Sequence, residues 1–281
     1  MKNAILITGV STGIGYALAE SFAKNGYQVF GSVRKLEDAM ILMEKYPTNF
    51  LPLIFDVTDF QSIETAAIEL KGLLKGEPLL GLINNAGIAV TGVATELSID
   101  DFKHQFEVNF FGLVKVTQVF SPLLGAIKGF NGAPGRIMNI SSAGGQIGFP
   151  FMSPYCSSKH AVEGFSESLR REFLHLGIKV IIIGPTAIKT PIWDKSSGEL
   201  PDDTKKGIFG KQASNFLRIF LKSSEKAMPA NVFAEKVLNI FKKKSPKNRY
   251  AISGNTFADW IMPRYLPSEM VDKSMADLLN K

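Results

Sequence analysis

A single cysteine, Cys156, stands among the 281 residues. An intramolecular disulfide is therefore excluded, and a reducing compartment, the cytoplasm, is the expected location. Long apolar runs are missing too, since none approaches the about 18 residues that a spanning helix needs. The N-terminal "MKNAILITGV" is only briefly apolar and leads into glycines rather than a small-residue cleavage site, so it reads as a strand and not as a signal peptide. No internal repeat or low-complexity tract is present.

Acidic excess is absent as well. The net charge is +6, and it is unevenly held: residues 1–189 carry 16 basic and 16 acidic side chains, residues 190–250 carry 13 and 6, and residues 251–281 carry 3 and 4. The basic excess includes "FKKKSPKNR" (Phe241–Arg249). Such lysines suit either a solvated helix end, where they complement the dipole, or contact with phosphates or an anionic membrane surface. No base-reading motif accompanies them, which argues against nucleic acid.

What is present is an ordinary globular composition, 45% hydrophobic and 21% charged, with enough apolar residues for a sizeable core. Apolar runs alternate with helix-period segments. Strands are expected at 4–8, 28–33, 51–55, 80–84, 136–141 and 179–183, and helices at 14–25, 36–46, 61–74, 99–127 and 154–176. That rhythm predicts a doubly wound, Rossmann-like α/β fold with a parallel sheet and helices on both faces. Ligands of such a sheet bind beyond the carboxyl ends of the strands, where the strand order switches. After Gly184 the rhythm fails. Residues 190–246 read as mainly helical, and Asn248–Ser253 is a candidate last strand. We take 1–189 as a dinucleotide-binding and catalytic core, and 190–281 as an extension of the same domain that covers the site.

The glycine-rich "TGVSTGIG" (Thr8–Gly15) falls between the first strand and the first helix. Gly9, Gly13 and Gly15 let the backbone turn tightly and approach a diphosphate, while the helix N-terminus offers free amides. Ser11, Thr12 and Ile14 join them as expected cofactor contacts. A second feature is "MSPYCSSKHA" (Met152–Ala161). Pro154 suits a first helical turn, so Tyr155 and Lys159 fall one turn apart on one face. Alone, that pair is equally an accident of a surface helix.

Thr8–Gly15 resembles the nucleotide-binding motif of the short-chain dehydrogenase/reductase family. "NNAG" (Asn84–Gly87) resembles its second signature, "VNFFG" (Val108–Gly112) supplies its helix asparagine, and "NISS" (Asn139–Ser142) with "YCSSK" (Tyr155–Lys159) matches its active-site pattern. The likeness covers roughly residues 1–192, with four signatures in the right order. It implies Tyr155 as the acid–base, Ser142 as a donor to the reacting oxygen, Lys159 as the cation beside the phenol and holder of the ribose, and Asn109 as the holder of a water that links Lys159 to solvent. From the residues alone, Ser142 is also a plain strand-end turn residue. Asn109 is costly to bury unless its amide meets a backbone N–H or C=O.

A free phenol titrates near 10. An ammonium at about 4 Å in an effective dielectric near 20 attracts its anion by about 4 kcal/mol. That upper limit predicts a Tyr155 whose pKa is lowered towards operating pH.

The resemblance also implies cofactor contacts from Val57 and from Asp56, which otherwise reads as an Asx turn or helix N-cap. It adds Asn84, Ala86 and Gly87 on the adenosine side, and Pro185, Ile188 and Thr190 at the carboxamide. Thr186 follows Pro185 where the family usually has glycine. The second strand ends with Val33 where an NAD site would carry an acid, and Arg34 comes next. A guanidinium suits a 2′-phosphate, so NADP(H) is expected, with NAD as the alternative. No metal ligand set is expected.

Aromatic residues in the extension, including Phe209, Phe216, Phe220, Phe233, Phe257 and Trp260, either pack on the sheet or line an apolar cleft. The tail with "RYLP" (Arg264–Pro267) loosely resembles the steroid- and retinol-oxidising branch. The expected substrate is a hydrophobic alcohol or ketone. Alternatives are a small polar ketone, sugar or acyl thioester, or a non-catalytic dinucleotide-binding sensor. Trp260–Met262 is a candidate for peripheral membrane contact. By resemblance, helices 99–127 and 154–176 suit a dimer or tetramer interface, unless the tail blocks it.

Overall fold

Strands that lie between two helical layers have no solvent face, which is why they read as short continuous apolar runs. The computed structural model describes residues 3–191, 202–225, 227–254 and 262–280. Its strands are β1 (Ala4–Ile7), β2 (Gln28–Val33), β3 (Phe50–Ile54), β4 (Gly81–Asn84), β5 (Arg136–Ile140), β6 (Lys179–Pro185), β7 (Ile188–Lys189), β8 (Met228–Pro229) and β9 (Arg249–Ile252). Seven of them form one parallel sheet in the order β3-β2-β1-β4-β5-β6-β9. The short pair β7–β8 stands apart. The chain runs outward from β1 to β3, then returns to place β4 on the other side of β1. A crevice therefore opens at the carboxyl ends of β1 and β4.

Alternate residues of each strand serve opposite layers. Ile5 and Ile7 join a buried cluster with Leu18 and Phe22 of α1 (Gly13–Lys24) and with Phe233, Val237 and Phe241 of α9 (Ala230–Phe241). Ala4 and Leu6 join the other layer, formed by α3 (Phe60–Leu74), α5 (Gly112–Phe120) and α6 (Ser153–Glu172), through Leu70, Phe120 and Leu169. The extension is thus not only a cover. Its helix α9 packs on α1, and its strand β9 is the outermost strand of the sheet. The other helices are α2 (Met40–Lys45), α4 (Ile99–Phe106), α7 (Asp202–Lys206), α8 (Gly210–Glu225), α10 (Met262–Tyr265) and α11 (Ser268–Asn280). Among the described residues, no helix is long and apolar enough to cross a membrane.

The segment 99–127 is not one helix. It breaks into α4, a π turn over Glu107–Phe111, then α5, and closes in a 3-10 turn at Ser121–Leu124. Gly112 follows the π turn because any Cβ there would lie 2.7 Å from the Val57 carbonyl oxygen. Pro122 and Gly125, at φ +115°, end the run.

α4 starts with a reciprocal cap: Ser98 Oγ accepts from the Asp101 amide at 3.1 Å, and Asp101 Oδ2 accepts from the Ser98 amide at 2.9 Å. Ser98→Ala should lower unfolding free energy by about 1 kcal/mol. Urea denaturation checks this, and an unchanged midpoint would refute the cap.

Candidate active site

The glycine loop closes over the end of β1 by approaches that only glycine allows. A Cβ on Gly15 would fall onto the Gly9 carbonyl oxygen, and one on Gly9 would sit 2.9 Å from Ala86 Cα. Gly9 and Gly13 hold φ of +69° and +59°. At the start of α1 the Tyr16 amide bonds the Thr12 carbonyl at 3.2 Å, but among the described residues the amides of Gly13, Ile14 and Gly15 find no carbonyl, and the Thr12 side chain does not cap them. These donors and the positive helix end face the crevice. Ser11 and Thr12 stand exposed at its rim.

Across the switch, Thr8 and Asn85 lock β1 to β4. Thr8 Oγ1 accepts from the Asn85 and Ala86 amides at 2.9 and 3.0 Å, and Asn85 Nδ2 donates to the Thr8 and Gly9 carbonyls at 2.9 and 3.2 Å. The result is a cleft of about 500 Å³ at the carboxyl edge of the sheet. Its walls include Gly9, Ser11, Thr12, Gly13, Ile14, Gly15, Arg34, Asp56, Val57, Ala86, Gly87, Ser142, Tyr155, Lys159, Pro185, Ile188 and Thr190.

Two expected residues stand elsewhere. Asn84 turns away from the cleft and donates to Thr117 Oγ1 at 3.0 Å and Asn139 Oδ1 at 2.8 Å. The strand pleat sends neighbours to opposite sides, so Asn85 faces the crevice in its place. Asn109, buried in the π turn, staples the loop after β4: its Oδ1 accepts from the Ile88 amide at 2.8 Å, and its Nδ2 donates to the Ile88 carbonyl at 3.0 Å and Ser158 Oγ at 3.2 Å. Its side-chain amide is thus taken up by the Ile88 backbone and Ser158 Oγ.

Asn85, Ser32, His104 and Val108 also line the cleft without having been singled out. The second asparagine of "NNAG" was the available signal for the first of these. Asp56 folds an Asx turn, accepting from the Thr58 amide and hydroxyl at 2.8 Å each, and still borders the cleft. Arg34, past the end of β2, is exposed and makes no ion pair or hydrogen bond among the described residues. Thr186, where glycine was expected, has no positive φ, and its amide bonds the Ile252 carbonyl at 3.1 Å. Trp260, Ile261 and Phe257 lie outside the described residues, as do the side chains of Phe220 and Met262.

At the far end, Tyr155 and Lys159 lie one turn apart on α6, both buried. Lys159 Nζ donates to the Ile140 carbonyl at 2.8 Å and sits 5.9 Å from the centroid of the Tyr155 ring. Ser142 Oγ accepts from the Gly144 amide at 3.1 Å and hydrogen-bonds the phenol.

The expected lowering of the phenol is reversed here. Desolvation pushes Tyr155 up to about 12, with the Ser142 hydrogen bond opposing it. Desolvation likewise brings Lys159 down to about 8, with the Glu163 carboxylate opposing. Spacing along the helix correctly brought the two groups together, but burial penalises each charged form by more than their neighbourhood returns. Tyr155 is therefore a protonated acid throughout the neutral range.

A parallel sheet that sets unpaired helix amides at its switch and a serine–tyrosine–lysine face at the next strand end has the parts of a dehydrogenase or reductase. The chain belongs to the short chain dehydrogenase family, whose model matches residues 3–200, and it is an oxidoreductase of that family. It is 38% identical over 275 residues to the NADPH-dependent 3-dehydrocapnine reductase of Ornithobacterium rhinotracheale, covering 97% of this chain and 95% of that one. It is 31% identical to human retinol dehydrogenase 5, covering 99% of this chain and 89% of the relative. The solved structure of ElxO with NADP bound superposes with a TM-score of 0.73 at 26% identity, covering 92% of this chain and all of ElxO.

Proposed function

We propose that the protein is an NADP(H)-dependent oxidoreductase that interconverts a carbonyl and a hydroxyl on a hydrophobic substrate. The cofactor reading is supported by the donors of the cleft. Amides at Gly13, Ile14 and Gly15, with Ser11 and Thr12 beside them, suit a diphosphate, and Arg34 at the β2 end, without a partner among the described residues, suits a 2′-phosphate. Asp56, Val57, Ala86 and Gly87 would flank the adenosine, Lys159 the nicotinamide ribose, and Pro185, Ile188 and Thr190 the carboxamide. NADPH, when bound, supplies the hydride.

The chain's own residues handle the proton and the oxygen. Ser142 hydrogen-bonds the carbonyl oxygen, so that negative charge develops against a placed donor. Tyr155 gives its proton to that oxygen. Lys159, the nearest cation, favours the phenolate left behind.

The hydrophobic substrate rests on one observation. Met152 is buried beside Tyr155, Cys156 and Ala89, and Phe149 and Phe216 pack against this cluster. Phe151 holds a left-handed φ of +60°, its carbonyl bound by the Gly92 amide at 2.9 Å, and its ring lies 5.4 Å from that of Phe216 on α8. A non-glycine residue adopts that conformation only where its surroundings enforce it. These aromatic groups pack beside the acid, and on this reading they give a lipid-like ketone its apolar surface.

The test is a panel of long-chain, cyclic apolar and small polar carbonyl compounds, followed by loss of reduced-cofactor absorbance. Apolar ketones should be preferred, and NADPH should exceed NADH by about tenfold or more in kcat/KM. Arg34→Ala should cost NADPH about 1.5–3 kcal/mol, the value of a charged hydrogen bond, and leave NADH unchanged. A several-fold NADH preference in the wild type would overturn the cofactor assignment, and turnover confined to polar ketones would overturn the substrate class.

A further inference from the structure

Three consecutive residues at the end of β5 are fastened to three residues at one-turn intervals along α6. Ser142 meets Tyr155, the Ile140 carbonyl meets Lys159 Nζ at 2.8 Å, and between them Ser141 Oγ donates to Glu163 Oε1 at 2.6 Å. The proposed mechanism uses the first two fastenings and leaves the third unexplained. Glu163 is 8% exposed, an unusual place for a carboxylate that has no structural task. Its charge is met bidentately by Arg249, whose Nε and Nη2 both lie at 2.8 Å. Arg249 belongs to β9, the strand that the C-terminal extension adds to the sheet edge. Gly145 lets the loop after Ser142 fold over the pair, since a Cβ there would sit 2.5 Å from Ser141 Oγ and 3.0 Å from the Glu163 side chain.

We propose that Glu163 is a positioning residue for the reaction: with Arg249 as its anchor it fixes the Ser141–Ser142 backbone and keeps Lys159 in its charged form beside Tyr155. The inference rests on the oxidoreductase reading above. Charge is central to it, because a neutral side chain could hold Ser141 equally well. The carboxylate lies one turn from Lys159 and opposes the desolvation of its ammonium. Among the described residues, the other titratable groups within one turn of Lys159 on α6 are Tyr155, Cys156 and His160; Arg249 on β9 holds the Glu163 carboxylate, and His104, Arg34 and Asp56 line the same cleft as Lys159. Glu107 of the π turn is exposed, and β5 and β6 carry only Arg136 and Lys179, at their opposite ends.

Removing one partner of a buried ion pair strands the other charge and endangers folding. The informative variant is therefore the double substitution Glu163→Gln with Arg249→Gln, which removes both charges and keeps hydrogen-bonding side chains. Its kcat against pH should show an alkaline limb displaced downward by about half a pH unit or more, and a fall of about twofold or more at pH 8. Trace acetylation of Lys159 in the cofactor-free protein, read by mass spectrometry, should show the same downward displacement.

An unmoved limb overturns the proposal, whether kcat is kept or lost, because the pair then serves only the fold. So does an unchanged acetylation midpoint. Tyr155→Phe separates the two levels of the reading: if it stays active, the oxidoreductase mechanism fails, whereas an inactive Tyr155→Phe beside a wild-type double variant removes only the role of Glu163.

Discussion

Tyr155→Phe should lower kcat by about three orders of magnitude, within the range that a placed general acid contributes, while the affinity for NADPH stays within about twofold. The substitution removes one oxygen and leaves the ring that packs with Met152 and Ala89. Neither neighbour replaces it, because Ser142 Oγ has no acidity of its own at neutral pH and Lys159 Nζ is turned to the Ile140 carbonyl. The pH dependence follows from the direction of the shift. Burial holds the phenol at about 12, so the acid required for carbonyl reduction is present from pH 6 to 9. Tyr155 itself should therefore impose no limb on reduction across that interval, and an alkaline fall within it belongs to Lys159. Alcohol oxidation needs the phenolate and should climb about tenfold per pH unit. Steady-state rates in both directions decide it. A Tyr155→Phe enzyme within a few-fold of wild type would remove Tyr155 from the chemistry.

The parts legible in the sequence share one property: each is decided by neighbours along the chain. The strands announce themselves because Ile5, Ile7, Ala4 and Leu6 are all buried, whichever layer each serves. The glycine loop and the Tyr155–Lys159 face are matters of local spacing. What escaped depends on phase, burial or distant partners. Asn84 and Asn85 are adjacent and identical, and only the phase of the strand pleat sends the second into the crevice. The break in the helix at Glu107–Phe111 is set by Asn109 reaching the Ile88 backbone, 21 residues away in sequence. Glu163 reads as an ordinary helix glutamate until Arg249, 86 residues on, is brought against it by the last strand of the sheet. The shift of Tyr155 was misjudged for a related reason. Helical spacing fixes how near two groups lie, whereas desolvation depends on everything else that surrounds them.

That same desolvation makes Lys159 a liability for folding, and Lys159→Met should expose it. In the cofactor-free protein Lys159 titrates near 8, against 10.5 when solvated, and burial is the first cause. Between those values the folded state binds fewer protons than the unfolded one, so stability rises with pH across the window and the full cost is borne below it. At pH 7 that cost is about 3 kcal/mol. Methionine fills similar space without a charge, but it leaves the Ile140 carbonyl unpaired, which costs about 1–2 kcal/mol. The variant should therefore be about 1–2 kcal/mol more stable than wild type at pH 7. It should lose that advantage by about pH 10.5, where the lysine is neutral in both states. The raised Tyr155 is common to both proteins and cancels in the difference. Turnover should meanwhile fall by about a hundredfold or more, as the phenolate loses its cation and the cofactor the ribose contact proposed for Lys159. Urea denaturation of both proteins at pH 7 and pH 10, beside their steady-state rates, measures each half. A variant less stable than wild type at pH 7, or a difference that does not change with pH, would mean that the ammonium is not held against its own desolvation.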